Sequence, residues 1–259
     1  MKKNILYIHT HDSGRYLEPF GAAVKTPNLM KLAQEGTLFR QAYCAAPTCS
    51  PSRVGLLSGQ SPPSTNMLGL AQRGFQMDCY DTHLSNFLRN QGYHTCLFGV
   101  QHEALKPSML GYDYWFDEDC HHSEFIRRDT AASTHAADYL LNYQEDKPFF
   151  MSVGFINTHR RYPEAPADFV NPDYVKPPMT IPDTKENRKD MADFMYSAKI
   201  ADDSVGVVLD ALKRSGREDD TIIIFTTDHG IAFPFMKSNC YDNGIRVTLI
   251  MKIASNQAV

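Results

Sequence analysis

Short apolar runs of strand length alternate along this chain with amphipathic segments of helix length, and this alternation restricts the fold more than any other feature. Asn4–Thr10 reads as a buried strand. Further strands are expected at residues 37–43, 94–98, 149–155, 221–226 and 246–251. Thr26 and Pro27 offer an N-cap and a first-turn proline for a helix through Leu29, Leu32 and Ala33. Other helices are expected over residues 82–90, 130–143 and 188–214. The last is the best marked, because Met191, Met195, Ala198, Val205, Leu209 and Leu212 recur at helical spacing. Strands covered on both faces read as unbroken apolar runs, so the pattern predicts an α/β domain with a mostly parallel central sheet flanked by helices. With 259 residues, one large domain can bury a substantial core.

Ligands of such sheets lie beyond the carboxyl ends of the strands. Acidic and imidazole side chains fall at four of those ends: His11-Asp12, His102, His159 and Asp228-His229. One such coincidence would carry little weight, since an isolated histidine at a strand end is more often a satisfied structural residue. Four on one rim make a site hypothesis. Residues 163–186, rich in proline, aspartate and lysine, read as a long surface excursion on the substrate side.

Composition closes off other classes. A net charge of −4 without basic runs argues against a nucleic-acid partner, and no apolar stretch is long enough to span a membrane. No signal peptide is visible after Met1, so the chain as given reads as cytoplasmic, or as secreted or periplasmic if a leader has been removed. The six cysteines (Cys44, Cys49, Cys79, Cys96, Cys120 and Cys240) show no Cys-x-x-Cys spacing and read mostly as reduced core thiols.

Cys49-Ser50-Pro51-Ser52-Arg53, followed by Leu57-Ser58-Gly59, is the densest motif. A Cys-x-Pro-x-Arg match arises by chance in roughly one chain in a hundred of this length. Its company is what counts: His11-Asp12-Ser13-Gly14, Gly99-Val100-Gln101-His102, Asn157-Thr158-His159-Arg160, Thr227-Asp228-His229-Gly230, then Lys237 and Gly244-Ile245-Arg246-Val247. In kind and order these resemble the motifs of the formylglycine-dependent (type I) sulfatases of the alkaline phosphatase superfamily. Asn66-Met67-Leu68-Gly69-Leu70 and Gly230-Ile231-Ala232-Phe233-Pro234 are most similar to its sulfamidase-like members.

The resemblance implies hydrolysis of a sulfate ester or sulfamate, on a sugar, by a formylglycine that a maturation enzyme makes from Cys49. The aldehyde hydrate offers one hydroxyl for attack on sulfur, activated by a divalent metal, and a second that expels sulfate. The implied roles are metal binding for Asp12, Asp228, His229 and His11, and catalysis for Cys49, Arg53, His102 and His159. Lys237 and Arg160 would bind substrate. Calcium is the family's usual cation and suits carboxylates, as magnesium does. The partner would be a sulfated small molecule or glycan.

Three positions depart from the family pattern. His11 and His229 stand where Asp and Asn are usual, which moves the site toward manganese, zinc or iron. Val100 stands where a lysine near the sulfate is common, leaving Arg160, Arg161 or Lys237 to compensate. Family members also continue past Val259 into a smaller C-terminal subdomain, so residues 1–259 are expected to form a catalytic domain without that part. A phosphonate monoester or phosphodiester hydrolase of the same superfamily, and a catalytically inert fragment, are the alternative readings.

Overall fold

The computed structural model describes residues 2–118 and 124–253; Cys120 and the residues after 253 lie outside that range. The elements, in chain order, are β1 (Asn4–Thr10), α1 (Pro27–Glu35), β2 (Thr37–Leu38), β3 (Ala42–Tyr43), α2 (Cys49–Ser58), α3 (Leu84–Asn90), β4 (His94–Gly99), β5 (Tyr114–Phe116), α4 (Phe125–Leu141), β6 (Phe149–Gly154), α5 (Lys185–Arg214), β7 (Thr221–Thr227), α6 (Asp242–Ile245), β8 (Arg246–Val247) and β9 (Leu249–Lys252). Seven strands form one sheet in the order β2-β9-β7-β1-β6-β4-β5, and β3 pairs with β8 apart from it. The five strands from β7 to β5 are mutually parallel, while β9 runs antiparallel to both its neighbours. The predicted α/β class with a mostly parallel, helix-flanked sheet is the one observed.

Alternation along each strand feeds two apolar layers. Leu6 and Ile8, Phe98, Met151 and Val153, and Phe225 pack with α4 and α5 residues such as Ala136, Phe194 and Val205. Tyr7, Leu97 and Phe150 point the other way, onto Leu57 of α2 and Leu88 of α3. Among the described residues no helix is long and apolar enough to cross a membrane. Cys44, Cys49, Cys79, Cys96 and Cys240 are free thiols.

Three expectations need correction. Residues 37–43 and 246–251 are not single strands: each run splits between the main sheet and the small one. The second break falls at Thr248, whose N–H and hydroxyl both donate to the Gly14 carbonyl instead of continuing a ladder. Thr26 does not cap α1, because its hydroxyl accepts from the Glu18 N–H. The cap comes from α5: the buried Asp202 carboxylate accepts from Asn28 N and Leu29 N at 3.0 and 2.8 Å, and from the Asn28 side chain. Residues 163–184 do run as an irregular excursion, with Val175 buried and Phe169, Val170 and Ile181 against the core.

Asp202→Ala is expected to lower unfolding free energy by about 2 kcal/mol through unsatisfied helix N–H groups. Burial, working against those donors, raises the Asp202 carboxyl from 3.8 to about 6. The folded chain therefore holds this proton more tightly than the unfolded one, a contribution complete below pH 3.8 and lost as pH rises through 6. Asp202→Asn is expected to flatten that part of the stability–pH curve, measured by urea unfolding between pH 4 and about 7.

Candidate functional site

Parallel order places the ends of β7, β1, β6 and β4 side by side, so the four predicted segments meet on one rim. The His11 imidazole lies 4.6 Å edge-on from His102 and 5.5 Å from His159, between centroids. Asp228, following β7, is the common acceptor. Its Oδ1 takes N–H donors from Asp12 at 2.8 Å and His229 at 2.9 Å, and its Oδ2 takes the Arg53 guanidinium at 3.0 Å. His11 Nδ1 lies 3.1 Å from the same Oδ2. Asp12 has a φ of 48°, a left-handed turn that aspartate tolerates better than most residues.

Cys49 opens α2, at the positive end of its dipole, and is buried. Its Sγ is 3.3 Å from His229 Nε2, which is 3.4 Å from Asp12 Oδ1. Burial first, then the Asp228 and Asp12 charges, hold the thiol above its ordinary range against Lys237 and Arg53. The unaided sulfur is thus protonated at neutral pH. One turn along the helix, Arg53 lies under Cys49 with donors on His9 Nδ1, the Thr10 carbonyl and Asp228. Gly154 keeps His9 in place, since a Cβ there would fall 2.4 Å from its ring and 1.9 Å from the Val100 carbonyl.

Burial pushes the Asp12 and Asp228 carboxyls up, but the surrounding positive groups outweigh it and both stay well below the carboxylate range. His229 leads for each, with Lys237 helping at Asp12 and Arg53 at Asp228. Lys237 Nζ donates to Asp12 Oδ2 at 2.6 Å. His159 sits with Nδ1 on the Arg160 carbonyl, leaving Nε2 available, and burial lowers it to about 4. His102 is likewise driven far down by burial and carries a φ of 71°.

Whether these residues suit a divalent cation can be judged from their own unsatisfied atoms. Ligand atoms of His11, Asp12, Cys49 and Asp228 all lie within 4.8 Å of one another. Both His11 nitrogens and Asp12 Oδ1 are buried without a hydrogen-bond partner. Buried polar atoms of this kind cost free energy unless something satisfies them, and two carboxylates beside imidazole fit a cation of calcium to zinc character.

Arg160 makes its own hydrogen bonds outside this cluster, though it feels the Asp12 charge. Its guanidinium is held by Asp190, with Nη1 at 2.8 Å from Oδ1, and by the Ala232 carbonyl, and it stacks on Tyr162 and Phe233. Val100 faces Phe125 and Ile156 in an apolar wall. Arg161 is exposed. Among the described residues, Lys237 and Arg53 are the lysine and arginine side chains that pair directly with Asp12 and Asp228.

Sequence reasoning passed over His9, Glu103 and the brace behind His159. Alternation with Tyr7 and His11 marks His9. The brace is the buried Asp129 carboxylate, accepting from Ile156 N, Asn157 N and the Asn157 side chain, which in turn takes the Ser197 hydroxyl. Its partners are far apart in sequence and no period announces them.

The sulfatase family profile matches residues 3–258. The chain is 29% identical over 265 residues to human N-sulphoglucosamine sulphohydrolase, covering 93% of this chain and 52% of that protein. It is 27% identical over 293 residues to an ulvan-active sulfatase of Formosa agariphila, covering 97% and 56%. It therefore spans about half the length of these curated relatives. In fold it is similar to the phosphonate monoester hydrolase of Agrobacterium radiobacter, with a TM-score of 0.72 and 20% identity over 99% of this chain and 70% of that one.

Calcium, manganese or zinc is expected to raise the thermal midpoint of the chain, and Asp228→Asn to abolish the rise, as read by differential scanning fluorimetry. A midpoint indifferent to all three cations would remove the cluster's claim to a metal.

Proposed function

The chain belongs to the sulfatase family, and from that premise we propose that it hydrolyses a sulfate ester or sulfamate on a sugar, using a formylglycine made from Cys49. The observation that carries this reading is the placing of Cys49 at the start of a helix, inside a buried set of metal-type ligands that includes Asp12 and Asp228. The name of the human relative favours an N-sulfated glucosamine unit as substrate. Residues 1–259 would supply the catalytic part.

Asp12, Asp228, His11 and His229 would hold the cation, which supplies charge neutralisation on sulfate oxygens and a lowered pKa for the attacking hydroxyl. Formylglycine supplies that hydroxyl as its hydrate, and a second one for release. Arg53 fixes the modified residue from below, its own position set by His9, Thr10 and Asp228. Lys237, already at the cluster's edge, meets an anionic oxygen of the substrate. His159 presents Nε2 to the leaving group. Its low proton affinity in this arrangement rises beside a bound anion, which lets it carry the proton that the leaving oxygen or nitrogen takes.

One observation favours a phosphonate monoester or phosphodiester hydrolase instead: the imidazole of His229 lies against both Cys49 and Asp12, where the sulfatase pattern has an amide. Turnover decides between them. After co-production with a formylglycine-generating enzyme, the peptide containing Cys49 is expected to show the aldehyde by mass spectrometry. The protein is then expected to prefer an aryl sulfate over the matching phosphonate and phosphodiester by at least about tenfold in kcat/KM, or about 1.4 kcal/mol. A preference for phosphorus would replace the sulfatase reading. Unmodified cysteine with no turnover would favour an inert chain.

A further inference from the structure

Beside the carboxylate cluster, on the same rim, lies a cleft of about 430 Å³ that no catalytic role uses. Arg15, Arg40, Arg246, Asp242, Asn243 and Tyr16 are among its lining residues. The three arginines come from separate segments: the loop after β1, the link between β2 and β3, and the first residue of β8. Arg15 is three residues past Asp12, and the bonds from Thr248 to the Gly14 carbonyl pin its loop to the β8–β9 junction. The cleft therefore opens next to the proposed catalytic centre.

Charge in the cleft is poorly matched. Arg246 pairs with Asp242 at 3.0 Å, the single carboxylate in the lining, and stands over Tyr43. Arg15 rests over Phe20 and, among the described residues, reaches no carboxylate, its hydrogen bond going to the Arg40 carbonyl at 3.5 Å. Among the described residues, the exposed Arg40 guanidinium has no ion pair. Burial first, and the Arg246 charge next, hold Arg15 below its ordinary range, so the guanidiniums repel one another. Three planar guanidinium groups lining one cleft suit a sulfate or carboxylate with several acceptor oxygens.

We propose that Arg15, Arg40 and Arg246 form a second anion subsite, which takes a sulfate or carboxylate on a neighbouring unit of the glycan being cleaved. This deepens the sugar-sulfatase reading and rests on it. The subsite would favour an extended polyanionic chain over a singly sulfated unit, because two anchors on one molecule raise the effective concentration of the second.

The probes are a heparin-derived hexasaccharide and inorganic sulfate, titrated calorimetrically into the whole chain. Arg15→Gln/Arg40→Gln is expected to bind the hexasaccharide at least about tenfold more weakly, the scale of two lost charge-assisted contacts. Arg40→Gln alone, at an exposed position, is expected to weaken it severalfold with an unchanged thermal midpoint, which covers misfolding of the double variant. Hexasaccharide affinity unchanged in a folded variant would overturn the subsite. Arginine-dependent binding of inorganic sulfate as tight as that of the hexasaccharide would overturn the glycan assignment. Turnover of a small aryl sulfate tests the catalytic reading separately: an active enzyme with arginine-independent glycan binding refutes the subsite alone, and arginine-dependent binding by an inert chain refutes catalysis alone.

Discussion

Asp228 stands at the end of β7 with its carboxylate shut away from solvent, and it accepts from Asp12 N, His229 N and Arg53 at once. Those donors belong to the turn after β1, the turn after β7 and the first turns of α2. One carboxylate thereby sets the spacing between two metal-type strand ends and the helix that presents Cys49. Such a buried ion pair adds little net stability, because desolvation offsets most of the attraction, yet removing one partner strands a charge and costs about 3–5 kcal/mol. The arrangement is thus specified more than it is stabilised. Chain segments more than a hundred residues apart are held to one geometry by the penalty for any other.

Around that carboxylate, burial works in opposite directions on acids and bases. It raises Asp12, Asp228 and Cys49 and lowers His102 and His159, but only the two aspartates have enough positive neighbours to reverse it. The result is a centre with two carboxylates and a neutral thiol, beside the neutral imidazoles of His102 and His159. The carboxylates are then in the protonation state that binds a divalent cation, while the thiol is not in the state that attacks. The proposed modification of Cys49 would answer that mismatch, since a hydrate does not depend on a thiolate.

Much of the fold was legible because β1, β4, β6 and β7 are covered on both faces and so read as continuous apolar runs. The edge strand Tyr114–Phe116, largely half-exposed, is apolar over only three residues, too short a run to mark a strand, and escaped notice. Residues 246–251 looked like one strand because apolar content shows burial and not hydrogen-bond partner, and Thr248 turns aside to bond Gly14. The strand-end histidines and aspartates were readable from topology alone, since parallel strands gather their ends. Arg160 shows the opposite case. Its position in a motif said nothing of Asp190, thirty residues on, which holds its guanidinium.

That commitment of Arg160 changes the charge inventory of the centre. With valine at 100 in an apolar wall and Arg160 on Asp190, the proposed contact with a substrate oxygen falls to Lys237, which already reaches Asp12. Under the proposed reading, sulfate esters, sulfamates, phosphonate monoesters and phosphodiesters each bring a single charge, so charge does not separate sulfur from phosphorus. The fold does not separate them either, since a phosphonate monoester hydrolase shares it. Under the proposed reading the choice falls on groups that would touch the nucleophile and the leaving atom: His229 beside Cys49, and His159 with its Nδ1 already on the Arg160 carbonyl.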